Sequence, residues 1–354
     1  MGNHKKKTKF PMVSVCTPTF NRRPFITTMI KCFENQTYPR NRMEWIIIDD
    51  GTDKIEDIVS HIPYIKYFKY DEKMTLGKKR NLLNKKATGD IIVYMDDDDY
   101  YPPERVSHAV TTLQNSPALC AGSSGVCIYF KHINKMVQFG PYGPNHATAA
   151  TFAFKRELLN ITSFDETSCI AEETKFLKNY TIPFVQLDTR KSILVFSHTQ
   201  NSFDKKELLE QGNNQHMHDS ALTPTDFVKE PEILRFFMDD INSLLDNYEP
   251  GKPEHKPDVN NQLNEIRKNR EKMMQEQIQK QKEYQENINK MNSMMTDPNS
   301  IQHKMNEQSF EIQRLTIENQ ELKKKVKYLE DKITQIISEK INEKRLQLSK
   351  NEKS

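Results

Sequence analysis

An α/β domain followed by a long helical tail is the fold class this sequence predicts, and three observations predict it. Short apolar, β-rich runs alternate with amphipathic stretches from residue 12 to about 200. Acidic and hydroxyl residues recur directly after those runs. Beyond residue 258, glycine and proline almost vanish from a chain rich in Asn, Gln, Lys, Glu, Met, Leu and Ile.

The strand candidates are "MVSVCT" (12–17), "EWIIIDD" (44–50), "YIKYFKY" (64–70), "DIIVYMD" (90–96), "GVCIYF" (125–130) and "SILVFSH" (192–198). Unbroken apolar runs such as Ile46-Ile47-Ile48 predict strands covered on both faces. Helices are expected near Pro24, across 76–87, and at Pro102 or Pro103, where proline suits a first turn. Residues 201–258 read as a helical extension, with the Pro- and charge-rich "DNYEPGKPEHKPD" as a linker.

Residues 259–350 read as a helical tail in two segments divided at Pro298, the first ragged in pattern and loosely coiled or partly disordered. The second carries heptads, clearest over 309–345. Ile312, Asn319, Val326 and Ile333 take the a positions, and Leu315, Leu322, Leu329 and Ile336 the d positions. β-Branched residues at a with Leu at d favour a parallel two-stranded coil, and a lone Asn at a fixes register, so a homodimer is expected. An amphipathic helix folded back on the domain is the alternative, against which the narrow apolar stripe speaks.

Hydrophobic residues make up 36% of the 354 and charged residues 29%, with no apolar run long enough to span a membrane. The start "MGNHKKKTKFPMVSV" is a basic arm (1–11) without a secretory apolar segment, and Lys6 stands where myristoylation wants Ser or Thr, so an intracellular, cytoplasmic protein is expected. Its Asn-, Lys- and Ile-rich usage suits an AT-rich genome such as that of a large DNA virus. A net charge of +3 is too balanced to imply nucleic-acid binding. Cys16, Cys32, Cys120, Cys127 and Cys169 lack CxxC spacing and read as reduced, mostly buried thiols.

Ligands of open α/β sheets bind beyond the carboxyl ends of the strands. Here the first strand ends in "TPTFNRR", the second in Asp49-Asp50-Gly51, the fourth in Asp96-Asp97-Asp98-Asp99 and the last in His198, with Lys78, Lys79 and Arg80 nearby. Four adjacent carboxylates repel one another, and the alternatives are a solvated acidic turn or a site completed by a divalent cation. Hard divalent cations are commonly held by one or two carboxylates together with substrate phosphates, which points to a nucleoside diphosphate with metal.

The motifs "VSVCTPTFNR", "WIIIDDGT", "GKKRNLLNKKATGDIIVYMDDDDYYPPERV", "SFDET" and "AEETKFL" occur in the order and rough spacing of the family 2 inverting glycosyltransferases, which the chain resembles over residues 12–200. The resemblance implies a GT-A (Rossmann-like) domain that uses a nucleotide-sugar donor, with UDP as the expected nucleotide, and Mn2+ or Mg2+. It implies that Thr17, Pro18 and Thr19 form a turn along the nucleobase, that Asp50 reads a base N–H, and that Arg80 approaches base or phosphate. Asp96-Asp97-Asp98 resembles the family's DxD motif, with Asp96 toward the ribose, Asp97 beside it and Asp98 on the metal. Glu173 matches the catalytic base, with Glu172 beside it, although the family usually has Asp at the second position. His198 resembles a late histidine that approaches metal or diphosphate.

Simpler readings stand beside these: Asp49 as a turn cap, Arg80 as a surface charge, Glu172 and Glu173 as acidic residues favouring a helix N-terminus, and His198 as a structural imidazole. The acceptor, whether glycan, protein or lipid, is expected to meet residues 120–175, including Tyr142 and His146. A nucleotidyltransferase would want a glycine-rich loop after the first strand, which "TPTFNRRP" lacks. A non-catalytic binding module on a coiled coil is the further alternative.

Overall fold

A computed structural model describes residues 9–210, 215–295 and 298–351, so most of the basic arm lies outside the described residues. The chain divides into two compact units, Met1–Arg267 and Lys268–Ser354.

The first unit opens with β1 (Val13–Thr19), continues through helix α1 (Arg23–Glu34) into β2 (Met43–Asp49), then through α2 (Glu56–Val59) into β3 (Ile65–Lys69). It returns through α3 (Leu76–Lys86) to β4 (Ile91–Tyr94) on the other side of β1. The pairings β1–β2, β2–β3 and β1–β4 are all parallel, giving the order β3-β2-β1-β4. The direction of sheet growth therefore reverses between β1 and β4, where a doubly wound sheet opens a crevice at its C-terminal edge. The β1–β4 ladder ends at Cys16–Tyr94, and the chains diverge beyond it.

Full burial of β1 and β2 follows from the sequence, because successive side chains face opposite sides of a sheet and both sides are covered. Val13, Val15, Trp45 and Ile47 enter one apolar cluster, while Cys16, Ile46 and Ile48 enter the other. All five cysteines are buried and unpaired.

Past α4 (Arg105–Gln114), the strands β5 (Cys120–Gly122), β6 (Val126–Phe130), β7 (Lys135–Phe139) and β8 (Ala153–Lys155), the short helix α5 (Glu173–Phe176), and β9 (Phe184–Gln186), β10 (Leu194–Ser197) and β11 (Met217–Asp219) complete the domain. A seven-stranded mixed sheet runs β3-β2-β1-β4-β8-β5-β9, and a second sheet runs β10-β6-β7-β11. The six expected strands are present. The added β5, β8, β9 and β11 span three residues each, too few to show a period, and β7 is a further added strand of five residues.

Residues 201–256 differ from the extension-and-linker reading. Helices α6 (Pro224–Phe227) and α7 (Pro231–Arg235), with the π-helical turn Phe236–Asp240 that leads into α8 (Ile241–Asp246), insert Phe227, Ile233 and Phe237 into the main core, and Phe237 stacks on Phe196 at 4.1 Å. The supposed linker is bonded to the first loop. Asn21 Nδ2 donates to the Pro250 carbonyl (2.8 Å), and Gln200 Nε2 donates to the carbonyls of Leu245 (2.9 Å) and Tyr248 (2.7 Å). Composition misled here because proline removes donors and keeps acceptors, so a Pro-rich segment can still be held by its carbonyls.

Helix α9 (Pro257–Met295) and helix α10 (Pro298–Asn351) are the two expected helical segments, the second starting at Pro298, and the first is a continuous helix where partial disorder was expected. On α10 the apolar heptad residues are exposed, from Ile312 and Leu315 to Ile333 and Ile336.

Candidate active site

The crevice beyond β1 and β4 opens into a cleft of about 300 Å³, lined by Pro18, Phe20 and Arg22 after β1, Asp96, Asp97 and Asp98 after β4, Arg80 from α3, and Glu172 and Glu173 at the start of α5. Lys256 and Asp258 form part of its wall. Two acidic groups far apart in sequence thus share one cavity, and α3 is the element between them.

Helix α3 is placed by a close approach. A Cβ on Gly77 would fall 1.9 Å from the Asp165 carbonyl oxygen, so only glycine lets the loop before α5 lie against the helix. One turn on, Arg80 is buried. Its Nε donates to Glu172 Oε1 (2.6 Å), and its two terminal nitrogens donate to the two oxygens of Asp96 (3.3 Å each). The guanidinium also stacks over Tyr94 at 4.6 Å. Arg80 is therefore no surface charge, and in this structure its donors go to carboxylates. Removing one partner of a buried ion pair leaves the others uncompensated, which typically costs about 3–5 kcal/mol. Arg80→Met is expected to lower the denaturant midpoint accordingly, and Arg80→Lys, a single point charge that cannot hold both carboxylates, to recover part of the loss.

The four aspartates are neutralised in different ways. Asp96 has Arg80. Asp98 Oδ2 lies 3.2 Å from Arg22 and 3.3 Å from His198 Nε2, and these partners hold its carboxyl well below the usual range despite burial. Burial and the Asp98 charge push Asp97 up to about 7, and Arg22 Nε is 3.6 Å away. Asp99 is pushed well up by burial and by the same charge, and one of its oxygens is buried without a partner. Cations thus stand against Asp96 and Asp98, while the alternating Asp97 and Asp99 are pushed up by burial and by the Asp98 charge.

His198 is buried and held as a neutral imidazole, with burial lowering its pKa to about 4. A neutral ring is the form that ligates metal. Here both ring nitrogens are in use: Nδ1 accepts from the Gln200 N–H (3.2 Å), and Nε2 lies 2.8 Å from Asn201 Nδ2 and 3.3 Å from Asp98 Oδ2, so the imidazole lines the neighbouring pocket and reaches the cleft only through Asp98. Among the described residues, three converging ligand atoms occur only at the exposed Glu249, Glu254 and His255.

Glu173 lines the cleft, and burial followed by the Glu172 charge pushes its carboxyl up to about 7. The loop that presents it is pinned. Gln262 Oε1 accepts from the backbone N–H of Cys169 (2.7 Å) and Ile170 (3.0 Å), and Ala171 is held at φ 53°, a strained setting for a non-glycine residue.

The nucleobase side departs from expectation. Residues 17–19 belong to β1 and form no turn. The Thr17 hydroxyl is used inside the sheet, donating to the Met95 carbonyl (2.6 Å) and accepting from Trp45 Nε1 (2.9 Å). Thr19 is buried, and its carbonyl accepts from Lys79 Nζ (3.0 Å). Asp50 is paired with Lys79 and accepts from the Met74 N–H (2.6 Å). Asp49 caps its turn, accepting from Gly51 N–H, Ile55 N–H and Tyr67 Oη. Of this group only Pro18 lines the cleft, beside Phe20, whose ring lies 5.1 Å from Lys73 Nζ and 5.7 Å from Lys79 Nζ.

Lys79, expected near the rim, lines the cleft and pairs with Asp50, whereas two cations escaped sequence reading as site residues. Arg22 sits within a quoted motif, but its partner Asp98 is 76 residues away. Lys256 lay in the supposed linker. It is 5% exposed and lines the cleft, with Nζ 3.3 Å from the Gln200 carbonyl, and burial holds its pKa well below the usual lysine value.

Residues 14–177 match the model of the family described as "Glycosyl transferase family 2". A poly(ribitol-phosphate) β-N-acetylglucosaminyltransferase, TarS, of Staphylococcus aureus is 30% identical over 109 residues, 27% of this chain and 18% of the relative. A GalNAc(5)-diNAcBac-PP-undecaprenol β-1,3-glucosyltransferase of Campylobacter jejuni is 32% identical over 142 residues, 38% of this chain and 43% of the relative. The chain thus spans less than half the length of these relatives. Among solved structures, S. aureus TarS 1–349 in complex with UDP aligns at TM-score 0.43 and 20% identity over 53% of this chain and 61% of that one. The mannosyltransferase PcManGT of Pyrobaculum calidifontis, in complex with GDP-Man and Mn2+, aligns at TM-score 0.44 and 17% identity over 65% and 70%. Residues 14–177 of this chain are a family 2 glycosyltransferase domain, built on a mixed, GT-A-like α/β sheet.

Proposed function

We propose that the protein is an inverting glycosyltransferase that moves a sugar from a nucleoside-diphosphate sugar, with UDP as the nucleotide, to an acceptor hydroxyl. The observation that carries this reading is the single cleft in which Glu173, with its pKa raised to about 7, faces the same space as Asp96–Asp98, and Arg80 ties the two acidic groups together. A carboxylate poised near 7 removes a proton from an attacking hydroxyl more effectively than one near 4. Glu172, fixed by Arg80, raises the basicity of Glu173 through its charge. Arg80 holds Asp96 in place for the ribose, and Phe20 with Pro18 offers an apolar face to the base. Thr17, Thr19 and Asp50 act behind that face, as the frame that positions it. Asp98, with His198 behind it, would hold Mn2+ or Mg2+ together with the donor diphosphate, where the ion supplies charge neutralisation to the leaving group.

Lys256, unburdened by a carboxylate at hydrogen-bond distance, is placed to meet the diphosphate. Lys256→Met is expected to weaken donor binding about tenfold, measured as Kd for UDP by calorimetry. The test of the function is nucleotide-sugar hydrolysis and transfer across a donor panel with Mn2+, with Mg2+ and with chelator. Turnover that chelator removes and Asp98→Ala abolishes supports it, whereas a folded protein that neither binds nor turns over any donor overturns it. The tail is proposed to join two copies, so the enzyme works as a dimer. No helix among the described residues is long and apolar enough to cross a membrane.

A further inference from the structure

Four rings form a ladder that leads away from the Glu173 end of the cleft. Tyr180 Oη bonds Thr174 Oγ1 (3.1 Å), next to Glu173, whose charge Tyr180 senses. The Tyr180 ring lies 5.1 Å from that of His146, which lies 4.9 Å from Tyr142, itself 4.9 Å from His216.

The ladder is built from three separate segments, each pinned through its backbone. Ser124 Oγ accepts from the N–H groups of Tyr142 (2.7 Å) and Gly143 (3.1 Å). Gln186 Nε2 donates to the carbonyls of Pro144 (2.8 Å) and His146 (2.9 Å). The His216 carbonyl accepts from the Gly140 N–H (2.8 Å), and Lys178, Asn179 and Tyr180 all take positive φ in the turn that presents the Tyr180 ring. So much backbone restraint around rings that stay partly in solvent is not what a core needs. Tyr142 is 41% exposed and the other three are half-buried.

We propose that Tyr180, His146, Tyr142 and His216 form a platform for a carbohydrate acceptor of more than one sugar residue, with the terminal hydroxyl at Glu173 and the following sugars lying along the rings. This rests on the transferase reading and names the acceptor class for it. Aromatic rings offer a flat apolar face at low entropic cost, while imidazole nitrogens and phenol hydroxyls at the rim satisfy polar groups beside it. A sugar ring is apolar on its faces and hydroxylated at its edge, and it matches that alternation. A lipid chain would leave the ring nitrogens and hydroxyls unpaired, which is costly.

The full-length protein is tested on a printed array of hexose-, N-acetylhexosamine- and pentose-terminated oligosaccharides, with UDP protection in thermal shift measured on the same samples. Wild type is expected to bind a subset of the glycans. Tyr142→Leu is expected to lose about tenfold in affinity for them, and Tyr142→Phe, which keeps the ring, to stay close to wild type. Equal binding by the Leu and Phe variants overturns the platform, as does a UDP-protected wild type that binds no glycan but does bind phosphatidylglycerol vesicles or peptides. Ring-dependent glycan binding without UDP protection keeps the platform and removes UDP as the nucleotide, and if no donor on the panel is bound or turned over either, the transferase reading beneath it falls while the platform stands.

Discussion

Glu173→Gln is expected to lower the transfer rate by about a hundredfold to ten-thousandfold, the usual worth of a positioned general base, while leaving UDP affinity and thermal stability close to wild type. The amide keeps the size of the side chain and its place at the start of α5 but cannot take a proton. A carboxylate present only to favour a helix N-terminus would behave differently: its loss would cost at most about 1 kcal/mol of stability and no catalysis. The pH profile separates the two further. Burial and the Glu172 charge hold Glu173 protonated until about 7, well above an ordinary glutamate. The active form is the deprotonated one, so kcat should rise with pH through about 7 and then level off. Glu172→Gln removes the neighbouring charge and moves that rise to lower pH, with slower transfer at the plateau. It also strips Arg80 of a partner, so stability should fall in this variant, unlike Glu173→Gln.

What the sequence showed of this site, and what it hid, follow a physical division. Strands β1, β2 and β4 were legible because they are short, β-branched-rich and mostly apolar, as in Ile46-Ile47-Ile48 and Ile91-Ile92-Val93-Tyr94, and the carboxylates were legible because they lie at or directly after the ends of β2 and β4. The site's polar sense was thus readable. Its pairing was not: nothing local says that Arg80 will span from Asp96 to Glu172, a separation of 92 residues for its Glu172 bond, or that Arg22 will settle on Asp98. Thr17 shows the opposite error. It sits in the right motif, yet side chains alternate along a strand, and its hydroxyl falls on the Trp45 side, away from the cleft. Lys256 and the 201–256 segment were missed because proline and charge usually mark a solvated linker, whereas Pro250 and Gly251 are packed on Asn21 and Gln200. The cost of burying Lys256 away from a strong partner also suggests that its position is maintained for a ligand rather than for stability.

The proposed tail dimer is expected to weaken on charge reversal at one flanking position and to recover when the facing position is reversed as well. The a and d residues of α10 are exposed on a single helix, with Ile312 at 64%, Leu322 at 53% and Leu329 at 54%. Pairing with a second copy, as proposed, would cover them. Orientation follows from the flanking charges. In a parallel coil each g residue meets the e residue five positions on in the partner chain. Here that sets Glu318 against Lys323 and Lys325 against Glu330, with no like-charge meeting in the clear heptads. It also sets Asn319 against Asn319, so the two buried amides satisfy each other. An antiparallel coil would set a against d, and so Asn319 against a leucine, leaving a polar group unpaired; in the register centred on residue 324 it would also put Lys323 and Lys325 against their own copies. Glu318→Lys should therefore weaken the dimer, and Glu318→Lys with Lys323→Glu should restore it, the contrast fading at high salt because these pairs are solvated. Leu322→Asp with Leu329→Asp should abolish it under all conditions, since two charges then enter the seam. Light scattering reads the mass, and a disulfide at Asn319→Cys reads the orientation. A monomeric wild type removes the coil, and a dimer that refuses that disulfide while surviving Glu318→Lys removes the parallel register.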